Sequence, residues 1–130
     1  MSKFAVVSTA VPAPIGPYSA AIATIGVRTI YVSGQIAINP ATQVFEDGDV
    51  ASQTHMVMRN LGAVLRAGGA TYSDLVKVTV YLRDMADFPA VNAVYGTYLS
   101  QPFPARATVQ AAGLPRGAAV EIDGIAVLDA

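Results

Sequence analysis

The chain has 130 residues, 53% of them hydrophobic and only 13% charged, with a formal net charge of −1. Ordinary soluble domains are roughly a quarter charged, yet no run of 18 apolar residues is present to span a bilayer, and the opening MSKFAVVSTAVPAP lacks the basic and apolar regions of a secretory signal. Transmembrane, secreted and disordered classes are set aside in favour of one cytoplasmic domain spanning 1–130, with no membrane partner and more apolar surface than a monomer of this size hides, so a subunit interface is expected.

In chain order, residues 1–17 are rich in proline and glycine (Pro12, Pro14, Gly16, Pro17) but apolar, which predicts an irregular segment that packs rather than dangles. Tyr18–Ile25 and Val27–Ile36 read as strands joined by a tight turn at Gly26. In the second strand Ile30 and Val32 alternate with Thr29, Tyr31 and Ser33, the period-2 pattern of a half-buried strand. Asn39–Asp49 carries Asn-Pro and Asp-Gly turn signals and is expected to be a loop. Val50–Ala67 places Val50, Thr54, Val57, Met58, Leu61, Val64 and Leu65 on one helical stripe, and Gly68-Gly69 stops it.

Leu75–Leu82 alternates Val76, Val78, Val80 and Leu82 against Lys77, Thr79 and Tyr81, a strand. Asp87 is positioned to cap a second helix with Pro89 in its first turn and a face of Phe88, Val91, Val94, Tyr95, Tyr98 and Leu99. Strands Ala105–Ala111 and Ala119–Leu128 follow, linked by GLPRGA. The order β-β-α-β-α-β-β predicts an α+β fold with two helices on one face of a sheet. The sheet's other face carries few charges, so a partner subunit is expected against it.

Several chemistries are excluded by composition. No cysteine means no disulfide, no thiolate nucleophile and no zinc–thiolate or iron–sulfur site. One histidine, His55, does not make a zinc site, so no metal is expected. Lys3 and Lys77 are the only lysines available for Schiff-base chemistry. No glycine-rich phosphate loop is present, and no cofactor is expected. Eight basic and nine acidic residues, scattered, form no basic stripe for a phosphate backbone and argue against a nucleic-acid partner.

Three segments in combination exceed what packing explains: GPYSAA at 16–21, YVSGQI at 31–36 and PARATVQAAGLPRGAAVEIDGIAV at 104–127. With Asn60 and the DF..VN.VY pattern at 87–95, they make the whole chain resemble the reactive-intermediate deaminase family (RidA, YjgF or endoribonuclease L-PSP-like). The resemblance implies a chorismate mutase-like fold, a mixed β-sheet with two helices on one face, assembled as a homotrimer with ligand clefts between subunits. It also implies cofactor-free hydrolysis of 2-imino or 2-enamino acids, released by pyridoxal-phosphate dehydratases, to 2-keto acids and ammonia.

Read one by one, the candidate residues each have a functional and a bland role. Arg106 shares a strand face with Thr108 and Gln110. Its guanidinium fork suits a substrate carboxylate, and an interface salt bridge is the alternative. Glu121, one of two glutamates, lies between Val120 and Ile122 and could orient or deprotonate water, or face outward. If GLPRGA closes a hairpin, Gln110 opposes Glu121, and Arg106 and Glu121 share a face. Tyr18, set by the Gly16-Pro17 turn, could donate to ligand or water, or simply pack. Ser33 and Gly34 end a strand where glycine permits close approach by a ligand, or form a bulge.

Phe88 and Asn92 lie one turn apart, and the resemblance puts them beside the cleft. At Thr108 many relatives carry cysteine, with backbone atoms touching the ligand. Threonine keeps that backbone and removes thiol chemistry. His55 reads as a surface or interface histidine more readily than as a general base. Asn60 reads as a loop or trimer anchor, and Met56, Met58 and Met85 as filler. Competing functions are a non-catalytic sensor of keto acids, a deaminase diverged toward another pathway, and the single-strand ribonuclease or translation inhibitor of older family labels. The near-neutral charge opposes the last.

Overall fold

A computed structural model describes residues 2–130. Helix α1 (Val50–Ala67) has the predicted bounds because both its ends are chemically marked. The Asp49 carboxylate accepts the Ser52 amide at 2.7 Å, satisfying a donor that the helix itself cannot. Gly69, at φ +83, supplies the left-handed residue that ends it. Thr54, Val57, Met58, Leu61 and Leu65 are buried as predicted. Val64 is instead 39% exposed, and its place on the inner face goes to Gln53, whose amide accepts from Ala119 N and donates to Gly48 O, both at 2.9 Å.

The main sheet contains β3 (Arg28–Gln35), β6 (Leu75–Leu82), β7 (Ala105–Gln110) and β8 (Val120–Leu128), ordered β3-β8-β6-β7. It is mixed: β6 runs parallel to β7 and antiparallel to β8. Val78, Val80 and Leu82 pair in register with Gly124, Ile122 and Val120 and bury one face against α1 and helix α2 (Phe88–Thr97). Fully burying such a side chain contributes about 1.5–3 kcal/mol. The opposite face carries Thr29 and Tyr31, Lys77, Thr79 and Tyr81, Ala107 and Val109, and Glu121 and Asp123. Within one chain nothing covers Tyr31, which is 77% exposed. The α+β expectation with two helices on one sheet face thus matches the fold.

Several sequence expectations are corrected. Residues Ser2–Val6 form strand β1, paired antiparallel with β2 (Ala21–Ile25), which is shorter than the predicted Tyr18–Ile25. Residues 7–15 do not pack, with Val7 86% and Ile15 95% exposed, because no layer of the same chain reaches them. Gly26 and Val27 link β2 to β3 as a short connection, but the two strands belong to different sheets, and β3 pairs with β8. The predicted loop at 39–49 contains a small hairpin of β4 (Ile38–Asn39) and β5 (Val44–Phe45).

Asp87 makes no side-chain cap on α2. A turn of 3₁₀ helix at Met85–Asp87 precedes the helix, and Asp84 caps that turn through Ala86 N. Finally, GLPRGA does not close a hairpin. The connection crosses the end of β6, where Arg83 N bonds Ala119 O and Arg83 Nη1 bonds Gly117 O at 2.7 Å, so β6 lies between β7 and β8.

Candidate active site

Arg106 leaves β7 on the helix-covered face, since it registers with Val78. There it meets α2, which presents Phe88, Asn92 and Tyr95 at i, i+4 and i+7 on one helical face. The guanidinium carbon lies 5.4 Å from the Phe88 ring centroid, 5.1 Å from Tyr95 and 5.5 Å from Tyr18. Three π faces thereby stabilise the cation and fix its plane. Arg106 Nη1 donates to Asn92 Oδ1 at 2.6 Å. This acceptor is neutral, so one corner of the fork is held without its charge being cancelled.

Burial lowers the pKa of Arg106 from the usual arginine range, partly offset by Tyr95 and Tyr18. Burial is also the larger influence on Tyr95, whose phenol is pushed well above its ordinary range despite the neighbouring cation. The outcome is a half-desolvated cation whose neighbours are aromatic or amide groups, a setting that strengthens its attraction for an anion.

Ile15, Gly16, Tyr18, Phe88, Asn92, Arg106 and Thr108 line a cavity of about 310 Å³ above this cation, room for a small organic acid. A larger hollow of about 920 Å³ lies under residues 5–14 and against Phe103, but Tyr18 is its only titratable lining residue. The groups with chemical potential therefore sit in the smaller cavity. Five of the eight sequence candidates, Tyr18, Phe88, Asn92, Arg106 and Thr108, are brought together there.

Ser33, Gly34 and Glu121 are not. Glu121 registers with Tyr81 and stands on the opposite sheet face from Arg106, which overturns the shared face expected from a β7–β8 hairpin. With β6 inserted between them, parallel to one and antiparallel to the other, Gln110 registers with Leu82 rather than opposing Glu121. Ser33 and Gly34 lie in a bulge of β3, and the Glu121 side chain rests directly on Gly34, so a Cβ there fits only if the carboxylate withdraws. On the same open face Tyr81 donates to Asp123 Oδ2 at 3.1 Å, and that carboxylate raises the phenol's pKa.

Other residues find structural roles. His55 Nδ1 hydrogen-bonds Tyr98 OH at 2.8 Å and does not line the Arg106 cavity. Asn60 anchors the β4 segment by donating to Ile38 O at 2.8 Å. Met58 is core, while Met85 is 37% exposed. Among the described residues no cluster of three or more His, Cys, Asp or Glu could hold a metal, and no helix is long and apolar enough to cross a membrane. The sequence alone marks Tyr95 only as packing. Its i+7 spacing from Phe88 on the face that bears Asn92 was the signal for its place under Arg106.

Residues 8–128 match the family model described as endoribonuclease L-PSP. A protein named DfrA from Myxococcus xanthus is 48% identical over 127 residues, covering 98% of this chain and 97% of its own length. A Mus musculus protein named 2-iminobutanoate/2-iminopropanoate deaminase is 46% identical over 120 residues, covering 92% of this chain and 87% of its own. The crystal structure of RidA from the Antarctic bacterium Psychrobacter sp. superposes with a TM-score of 0.75 at 41% identity, over 90% of this chain and 93% of that one.

Proposed function

The chain belongs to the endoribonuclease L-PSP family, also called RidA or YjgF, and from that premise we propose that it is a hydrolase converting 2-imino acids to 2-oxo acids and ammonia. The observation that carries this reading is Arg106: a cation caged by three aromatic rings and one neutral amide, at the floor of a cavity sized for a small acid. The N–H groups of its fork not taken by Asn92 bind the substrate carboxylate, and Tyr18 and Phe88 wall the bound molecule. The same geometry admits 2-enamino acids once they tautomerise to the imine.

Water adds to C2 of the iminium group, a proton passes from the added oxygen to nitrogen, and the C–N bond breaks as the carbonyl forms. The products are a 2-oxo acid and ammonium, so water and substrate supply every atom and no cofactor is needed. Imines already hydrolyse in water, and orientation of the two reactants accounts for most of the acceleration.

Glu121 orients the attacking water in this reading, and Ser33 and Gly34 complete the cleft around it. Because these three stand on the other sheet face from Arg106 within one chain, a neighbouring copy must bring them to the cavity. We therefore extend the proposal to a homotrimer of a chorismate mutase-like fold, with clefts at the subunit seams. The uncovered Tyr31 and Val109 on the open sheet face, 77% and 44% exposed, support such packing.

The test is release of 2-oxobutanoate and ammonia from 2-iminobutanoate generated in situ. Turnover is expected to fall about a hundredfold in Arg106→Ala, the loss of a desolvated charge-assisted pair of roughly 3 kcal/mol. Full activity in that variant sinks the mechanism. A second reading, a non-catalytic sensor of 2-oxo acids, is favoured by the absence of any carboxylate or imidazole among the cavity's lining residues. Calorimetric binding of 2-oxobutanoate without turnover is its signature.

A further inference from the structure

Two buried side-chain oxygens among the described residues have no hydrogen-bond partner, Tyr95 OH and Thr108 Oγ1, and both adjoin Arg106. Other sheltered hydroxyls are satisfied: Thr54 Oγ1 donates to Val50 O at 2.7 Å and Tyr72 OH to Met58 O at 2.6 Å. Leaving a buried hydroxyl unpaired is costly, and valine fills the same volume on a strand without that cost. Of the two orphans, only Thr108 lines the Arg106 cavity. It does so with its hydroxyl turned inward, because Oγ1 is screened from solvent.

Threonine's Oγ1 and Cγ2 occupy staggered positions about the same bond, so rotation by one well moves the oxygen with little change of volume. Thr108 stands two residues from Arg106 on one face of β7, roughly 7 Å along the strand. A carboxylate held by the guanidinium fork is within reach of a hydroxyl so placed. We propose that the Thr108 side chain is a second donor to the substrate carboxylate: its hydroxyl is unpaired in the free protein and rotates to donate to the carboxylate bound at Arg106. The inference rests on the carboxylate-binding reading of Arg106 and adds a second, neutral donor to it. Threonine at this position exchanges stability of the empty site for affinity of the filled one.

The experiment combines thermal melting with calorimetric titration of 2-oxobutanoate for the wild-type protein and for Thr108→Val, Thr108→Ser and Arg106→Ala. Thr108→Val is expected to melt higher than wild type when unliganded, yet to bind about fivefold more weakly, which is about 1 kcal/mol at 1.4 kcal/mol per tenfold. Thr108→Ser is expected to recover most of the affinity. A merely structural threonine does not move melting and affinity in opposite directions. Wild-type affinity in Thr108→Val, or weaker binding together with a lower melting temperature, overturns the inference. If Arg106→Ala loses binding while Thr108→Val does not, only the Thr108 role fails. If wild type does not bind, or Arg106→Ala binds like wild type, the carboxylate reading fails and takes this one with it.

Discussion

Gly34→Ala isolates the position of Glu121 without touching its chemistry. A Cβ built on Gly34 overlaps Glu121 Oε2, the nearest atom, and lies 2.8 Å from Cδ and 3.1 Å from Cγ. Carbon atoms settle at about 3.5–4.0 Å, so the carboxyl carbon must withdraw by at least about 0.7–1.2 Å, and the overlapping oxygen by more. The obstacle is the end of a flexible side chain, and Gly34 is not in the left-handed region, so the backbone accepts alanine. The stability penalty is then an off-rotamer glutamate, about 0.5–1.5 kcal/mol. A displacement of 1 Å in a positioning group, by contrast, lowers turnover on the order of 10²-fold. The assay is 2-oxobutanoate formation from imine generated in situ, with chemical denaturation in parallel. Gly113→Ala, which meets nothing within 4 Å, serves as control. Because both changes act through one carboxylate, Gly34→Ala combined with Glu121→Gln is expected to add little to Glu121→Gln alone. Wild-type kcat in Gly34→Ala, or multiplicative loss in the double variant, refutes Glu121 as the water-orienting group.

Two further outcomes follow from charge and exposure. The Asp49 carboxyl is held below the usual carboxylate range chiefly by the Ser52 amide that it caps. Its folded-state pKa is lower than its unfolded one, so its stabilisation is full above about pH 5 and fades as pH falls through the carboxylate range. Asparagine caps comparably without ionising, so the gap in stability between wild type and Asp49→Asn, measured by urea titration at successive pH values, is expected to narrow on acidification; a constant gap contradicts the assignment. Tyr31→Glu puts a charge on the edge strand β3 of the open face and is expected to yield monomers in sedimentation, with native circular dichroism and lost turnover. An active Tyr31→Glu monomer removes the subunit seam from the mechanism.

The elements readable from the sequence were those whose determinants are local. Helix α1 carries its stripe, its Asp49 cap and its glycine stop within twenty residues, and its bounds follow from them. Strand β6 shows its alternation directly, apart from a bulge after Leu75 that gives the inner position to Leu75 rather than Val76. What failed was long-range. Nothing near GLPRGA states that β6 will lie between the two strands it joins, and local signals alone favour a β7–β8 hairpin. Such a hairpin would put Glu121 on the face of Arg106. The alternation within β7 was sound, so Arg106 and Thr108 were correctly placed on one face, and α2's spacing brought Phe88 and Asn92 to them. The side-chain state of Thr108 had no sequence signature at all, because an unpaired hydroxyl exists only relative to neighbours fixed by the fold.

Strand order also bears on how the molecule is made. Strand β8 is last in sequence yet sits between β3 and β6, and its pairing with β3 joins Arg28 to Leu128. The unit β6–α2–β7 is contiguous over residues 75–110 and forms its parallel pair from nearby chain. Strand β3, by contrast, has no partner in the main sheet until β8 has been synthesised. Such distant pairing slows closure, and during that interval a strand bearing Ile30, Tyr31 and Val32 presents both edges. Until β8 pairs, both edges of β3 therefore stay open, which makes β3, rather than the site-bearing β7, the strand most exposed to mispairing before the sheet closes.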